Sequence, residues 1–141
     1  MLTFTCLRNW LLPSLMEFLS HNTHVEYPQK IFETGYVTTF DKKEENRTRD
    51  IQKLACVIIH ANANFTETKA ILDALFLNLG LRYHIKESKH KSFIDGRIGK
   101  ILFENKEIGF MGEIHPKVLE AWKLENPVSV FEISLEEIYR G

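Results

Sequence analysis

The chain has 141 residues, 44% hydrophobic and 11% aromatic, enough to bury about two-thirds of its unfolded surface in one core. Eighteen Lys and Arg against nineteen Asp and Glu leave a formal charge of −1, which excludes the global positive field that draws phosphate backbones by counterion release. Cys6 and Cys56 have no Cys or His at metal-ligand spacing beside them, which argues against a disulfide framework or a zinc site and leaves two reduced, buried thiols.

The first nineteen residues are apolar, but Arg8, Pro13 and Glu17 interrupt the run and no small-residue cleavage pattern follows. The reading is a cytoplasmic protein without a membrane segment. Leu12, Leu15, Met16 and Leu19 recur at helical spacing, with Pro13 suited to a first turn, and predict a short amphipathic helix ending near Asn22. Lys30–Phe40 is rich in residues that favour extended structure. Asp41–Lys53 is dominated by charge, has no periodic apolar face and reads as a solvated loop.

Leu54–His60 is an apolar run of strand length. Asn64 and Glu67 have capping-box spacing ahead of Thr68, Ile71, Leu72, Leu75, Phe76 and Leu79, which line one helical face up to the stop at Gly80. Leu81–Lys86 is predicted as a strand and Glu87–Gly96 as a polar loop. Arg97–Glu104 and Glu107–Gly112 flank Asn105-Lys106 as a tight hairpin, and Gly99, Gly109 and Gly112 suggest close approach of another backbone or a helix. His115-Pro116 opens a helix through Trp122, with Val118 and Trp122 on one side. Val128–Ser134 closes as a strand, and Leu135–Gly141 is a helical or frayed tail. Hairpins mixed with helices predict one α+β domain over residues 1–141, with a largely antiparallel sheet and helices packed on one face.

The candidate chemistry is sparse. His21 and His24 have one-turn spacing with Glu26 nearby, but they straddle a helix end without a further ligand at a matching offset, and solvated or capping histidines are the better reading. His60, His84, His90 and His115 are scattered. No serine sits in a Gly-x-Ser-x-Gly turn, and Gly109-Phe110-Met111-Gly112 reads as a packing device inside a strand rather than a phosphate loop. Glu44-Glu45 and Glu136-Glu137 read as surface charge.

Five segments, taken in order, carry a resemblance: Leu7-Arg8-Asn9-Trp10-Leu11-Leu12-Pro13, Ile31-Phe32-Glu33-Thr34-Gly35-Tyr36-Val37, Asn64-Phe65-Thr66-Glu67, Ser92-Phe93-Ile94-Asp95-Gly96-Arg97, and the run from Glu107 to Pro116. The series, from about Cys6 to Leu135, resembles the C-terminal catalytic-like module of the phenylalanyl-tRNA synthetase (phenylalanine–tRNA ligase) β subunit, archaeal type. That resemblance implies a class II aminoacyl-tRNA synthetase-like fold, an antiparallel sheet flanked by helices, in the noncatalytic partner of an α2β2 enzyme. The holoenzyme uses ATP and Mg2+ to charge tRNA(Phe), and the chemistry belongs to the α subunit. No catalytic, cofactor or metal residue is expected in this segment.

A class II site grips ATP with an Arg-x-Glu on one strand and a second Arg after a late Gly-rich strand. On the resemblance, Thr39-Phe40-Asp41 stands in place of Arg-x-Glu, and Val128–Leu135 contains neither Gly nor Arg. Thr39 offers no delocalised charge and no bidentate fork. The resemblance also suggests a piece of a longer subunit that starts inside the module, with Met1-Leu2-Thr3 outside the family's sequence and the element of the class II dimer-type interface missing. Leu12, Leu15, Met16 and Leu19 are then candidate interface residues, with burial against the chain's own sheet as the favoured use. The alternative function is a free-standing ligand-binding or small hydrolytic domain with a His/Glu pocket around His90, Asp95, Arg97, Glu113 and His115.

Overall fold

A computed structural model describes residues 10–23, 26–41 and 47–139. The elements run α1 (Leu12–His21), β1 (Gln29–Asp41), β2 (Arg47–Ile59), α2 (Phe65–Leu79), β3 (His84–Glu87), β4 (Phe93–Phe103), β5 (Lys106–Ile114), α3 (Pro116–Ala121), β6 (Val128–Ser134) and α4 (Glu136–Tyr139). Among the described residues the strands form one six-stranded sheet in the order β1-β2-β6-β5-β4-β3, and every pairing is antiparallel. No helix there is long and apolar enough to cross a membrane.

The last strand in sequence, β6, lies between β2 and β5 at the middle of the sheet. Its composition explains that position: Val128 through Ile133 are all buried, which requires cover on both faces. On one face lie α1 and the residues around α3, and Leu12, Leu15, Met16 and Leu19 pack in one core with Val37, Val57, Ile114 and Val130. On the other, Leu72 and Phe76 of α2 and Ile138 of α4 meet Ile58, Met111, Phe131 and Ile133. Helices therefore cover both faces, which corrects the one-face expectation. The sign was in β2 itself, where Ala55, Val57 and Ile59 face one core and Cys56 and Ile58 the other.

The charged stretch 41–53 is also corrected. β1 and β2 stay in register from Gln29↔Ile59 to Asp41↔Arg47, so residues 47–53 are strand, while 42–46 lie outside the described residues. Ile51 faces Val37 in that ladder and joins the α1-side core, and Thr38 Oγ1 donates to Asp50 Oδ1 at 3.0 Å. The predicted loop over Glu87–Gly96 gives way to β4 at Phe93, with a register break before Ile98 and Gly96 at φ +81°. The β4–β5 turn sits one residue earlier than predicted: Glu104 and Asn105 carry φ of 51° and 66°, and Phe103 pairs with Lys106. Two positive φ angles are what a type I′ hairpin requires.

Helix α2 follows its sequence closely. Asn64 Oδ1 accepts from the Glu67 N–H at 2.9 Å, and Gly80 ends the helix at φ +70° while the Leu81 N–H returns to the Phe76 carbonyl at 2.9 Å. Thr68 on its buried side hydrogen-bonds the Ser129 hydroxyl of β6. Asn64→Ala removes the cap acceptor and is expected to cost about 1 kcal/mol, measurable as a fall in the urea midpoint with an unchanged m-value.

Candidate functional site

Among the described residues two carboxylates are buried, one on each face of the sheet, and each meets the start of a helix. Glu132, in the middle of β6, is 1% exposed. Its Oε2 accepts from the Leu11 N–H at 2.8 Å and its Oε1 from the Leu12 N–H at 2.9 Å, with Lys53 Nζ 3.7 Å away. Leu11, the N-cap of α1, supplies no side-chain cap of its own, so a carboxylate 121 residues away satisfies amides that would otherwise be orphaned. Burial pushes the Glu132 carboxyl above its ordinary value, opposed by the Leu11 N–H, the Lys53 charge and the Leu12 N–H.

Glu113, on β5, does the same for α2. Its Oε2 accepts from the Phe65 N–H at 2.8 Å and its Oε1 from Arg97 Nη1 at 2.9 Å. Both oxygens of each carboxylate are thus engaged by fixed donors. Such groups position helices; a general base needs an oxygen turned to a ligand.

Of the five residues of the alternative pocket, the structure brings His90, Asp95 and His115 around one open cleft beside Lys89 and Pro116. Arg97 and Glu113 pair with each other and do not line it. His115 Nδ1 accepts from the Lys117 N–H at 3.0 Å and caps α3, while His90 Nδ1 accepts from the Ser92 N–H at 3.0 Å. Both imidazoles therefore serve turns. His60 is similar: Nδ1 accepts from the Asn62 N–H at 3.2 Å, a contact that assigns the neutral ring's proton to Nε2, which meets Glu67 Oε1 at 2.6 Å. That pairing occupies the Glu67 side chain that a full capping box would turn back to Asn64.

His21 is exposed and lies 3.9 Å from Glu17, one turn away on α1, and His24 is outside the described residues. Among the described residues no three His, Cys, Asp or Glu side chains come together in a metal-holding group. Cys56 is buried, and loss of solvation pushes its thiol up to about 12, only partly offset by Lys30. Such a thiol is a poor nucleophile. Cys6 lies outside the described residues. Thr39 falls within β1 opposite Arg49. Leu12, Leu15, Met16 and Leu19 are at most 4% exposed within this chain, packed against its own sheet.

One concavity was not visible in the sequence. On the α1 side of the sheet, an open cavity of about 490 Å3 is lined by the rings of Trp10, Phe93 and Phe110 together with Lys53, Lys100, Glu107 and Glu137. Its residues come from five separate stretches of chain, so no local spacing announces it.

Comparison with known proteins adds a family and a fold. Residues 2–135 match the model described as the phenylalanyl tRNA synthetase beta chain CLM domain. The chain is 53% identical over 137 residues to the phenylalanine–tRNA ligase beta subunit of Thermococcus onnurineus, covering 97% of this chain and 24% of that protein. For the Pyrococcus furiosus subunit of the same name the figures are 54%, 97% and 25%, and for that of Methanopyrus kandleri 44%, 89% and 21%. The chain thus spans about a quarter of the length of the first two. A solved pyrrolysyl tRNA synthetase from Desulfitobacterium hafniense superposes with a TM-score of 0.75 at 16% identity, over 95% of this chain and 49% of that one, which establishes a shared fold.

Proposed function

The chain belongs to the family of phenylalanyl-tRNA synthetase β-chain CLM domains, and from that premise we propose that it is a noncatalytic structural domain of a phenylalanine–tRNA ligase β subunit. In this reading it is one domain of a longer cytoplasmic subunit, the catalytic-like module of the archaeal type. It packs with the α subunit in an α2β2 assembly and supports ATP-dependent charging of tRNA(Phe) there. ATP and Mg2+ are held by α.

The observation that carries the noncatalytic reading is the engagement of Glu113 and Glu132. In this synthetase-like sheet the buried carboxylates of Glu132 and Glu113 are engaged as caps on α1 and α2. On the family resemblance, Thr39 stands where a class II site would carry a phosphate-gripping Arg, and β6 carries no Gly or Arg. Neither position offers the fixed positive charge that stabilises a reacting phosphate.

Two measurements test the proposal. Phenylalanine-dependent ATP–pyrophosphate exchange is expected to stay at background with the chain alone and to appear with the reconstituted α and β subunits; exchange by the chain alone would sink the noncatalytic reading. Co-elution of the α subunit with the complete β subunit, lost when this domain is deleted, is the expected sign of the assembly role. Full retention of α by the deleted β subunit would remove it.

A further inference from the structure

We propose that the β3 edge of the sheet, with the cleft beside it, is a docking strip for the phosphate backbone of RNA. Arg82, Lys86, Lys89 and Lys91 fall within a ten-residue segment that holds one carboxylate, Glu87, a net +3 in a chain of net −1. A global positive field is absent, but phosphate contacts need only a local one. The alternation of the backbone sorts the segment: Leu81, Tyr83 and Ile85 pack against the α2-side core, and Arg82, His84 and Lys86 between them are exposed. Lys89 and Lys91 continue the exposed run, and among the described residues no strand lies beyond β3.

The cations of this strip have no acidic neighbour to satisfy them. Among the described residues no carboxylate forms an ion pair with Arg82, Lys86, Lys89 or Lys91, whereas Lys53, Lys69, Arg97, Lys100 and Lys106 each face one. One lysine is enough to blunt an edge strand against pairing, and β1, at the opposite edge, carries Lys30 as the one cation of its thirteen residues. The excess on the β3 side calls for an anion. Lys89, His90 and Lys91 also line the cleft with Asp95 and His115. The Nδ1 atoms of both histidines accept from the Ser92 and Lys117 N–H groups, so each neutral ring carries its proton on Nε2, as a donor. Two ammonium groups and two imidazole N–H donors thus stand against the single carboxylate of Asp95. A protein partner would need apolar contact at the centre of the interface, where lysine is depleted, and an anionic membrane would need apolar side chains to insert. Here the apolar side chains turn inward, and repeated phosphates ask only for spaced cations. The choice of RNA rests on the reading of the chain as part of a tRNA ligase.

The test is fluorescence anisotropy of labelled oligouridylate at low salt, with this chain and with the complete β subunit. Saturable binding is expected in both. Lys86→Gln/Lys89→Gln is expected to weaken it roughly tenfold and to make the slope of log affinity against log salt shallower by about 1.4, two contacts at about 0.7 each. Lys30→Gln/Lys69→Gln removes the same charge away from the strip and should leave affinity and slope nearly unchanged. No saturable binding, equal losses from the two double variants, or tighter binding of polyglutamate or phosphatidylserine vesicles than of RNA overturns the proposal. So does binding by the chain that is absent from the complete β subunit, where protein would then cover the strip. Retention of α is measured separately: loss of RNA binding with α retained strikes this inference alone, and loss of the assembly role with RNA binding intact leaves it standing.

Discussion

Glu132→Ala is expected to destabilise the fold by about 3–5 kcal/mol, read as a large drop in thermal midpoint. The size follows from what the carboxylate holds. Its removal leaves the Leu11 and Leu12 amides without acceptors at a buried helix start, and leaves Lys53, largely sequestered, without its acidic neighbour. Each orphaned group costs its full desolvation penalty, whereas the intact arrangement returns little more than it cost to bury. Glu132→Gln keeps the shape and one acceptor oxygen but presents an NH2 to the second amide. A smaller loss of about 1–3 kcal/mol is expected. Equal effects of Ala and Gln would mean that α1 is held by its apolar face alone.

The same residue predicts a pH signature. Burial, the largest influence, raises the Glu132 carboxyl above the ordinary value of 4.5, so between that value and the higher folded one the native state holds more protons than the unfolded chain. Stability from this group is therefore fully present below 4.5 and declines as pH rises through the folded value. The stability gap between the native chain and Glu132→Gln should narrow as pH increases across that window. A gap that widens instead would show that the α1 amides and Lys53 outweigh desolvation and hold the group ionised.

What the sequence revealed divides along the range of the interactions involved. α2 was legible from cap to stop because Asn64, its apolar face and Gly80 are all local signals. α1 was legible as a helix, yet the group that caps it was not, because Glu132 sits 120 residues away, the only charged residue in a strand otherwise made of apolar residues and serines. A carboxylate alone in such a run is itself the clue. It asks for a buried partner, and a helix start lacking its own cap is one candidate. β2 was half hidden because its first part is dominated by charge, with Asp50 exposed and Ile51 the apolar residue among polar neighbours. Its strand character there comes from the continuous ladder with β1, and of its own residues in that part Ile51 alone turns an apolar side chain to the α1-side core. The aromatic cluster was hidden for a third reason: Trp10, Phe93 and Phe110 lie far apart in the sequence, and the fold brings their rings together.

The close approach expected at Gly109 supplies the second large effect. A Cβ there would run into the backbone carbonyl of Glu132, at the point where β5 pairs with β6 through Gly109↔Ile133. Backbone in a central ladder has no rotamer to change, so Gly109→Ala is expected to cost about 3 kcal/mol. At Gly112 the obstacles include the movable ends of Ile98 and Phe93 besides the Arg97 carbonyl, and Ala there should cost less. Gly80 separates space from conformation: nothing lies within 4 Å of its missing Cβ, so Gly80→Ala carries only the left-handed backbone penalty of about 1–2 kcal/mol. The displaced carbonyl at Gly109→Ala belongs to the residue whose side chain caps α1, so the two sites are physically coupled. The double variant Gly109→Ala/Glu132→Ala is expected to lose less than the sum of the single losses. Strict additivity in that cycle would show that β6 accommodates the new methyl without moving the Glu132 carboxylate from the start of α1.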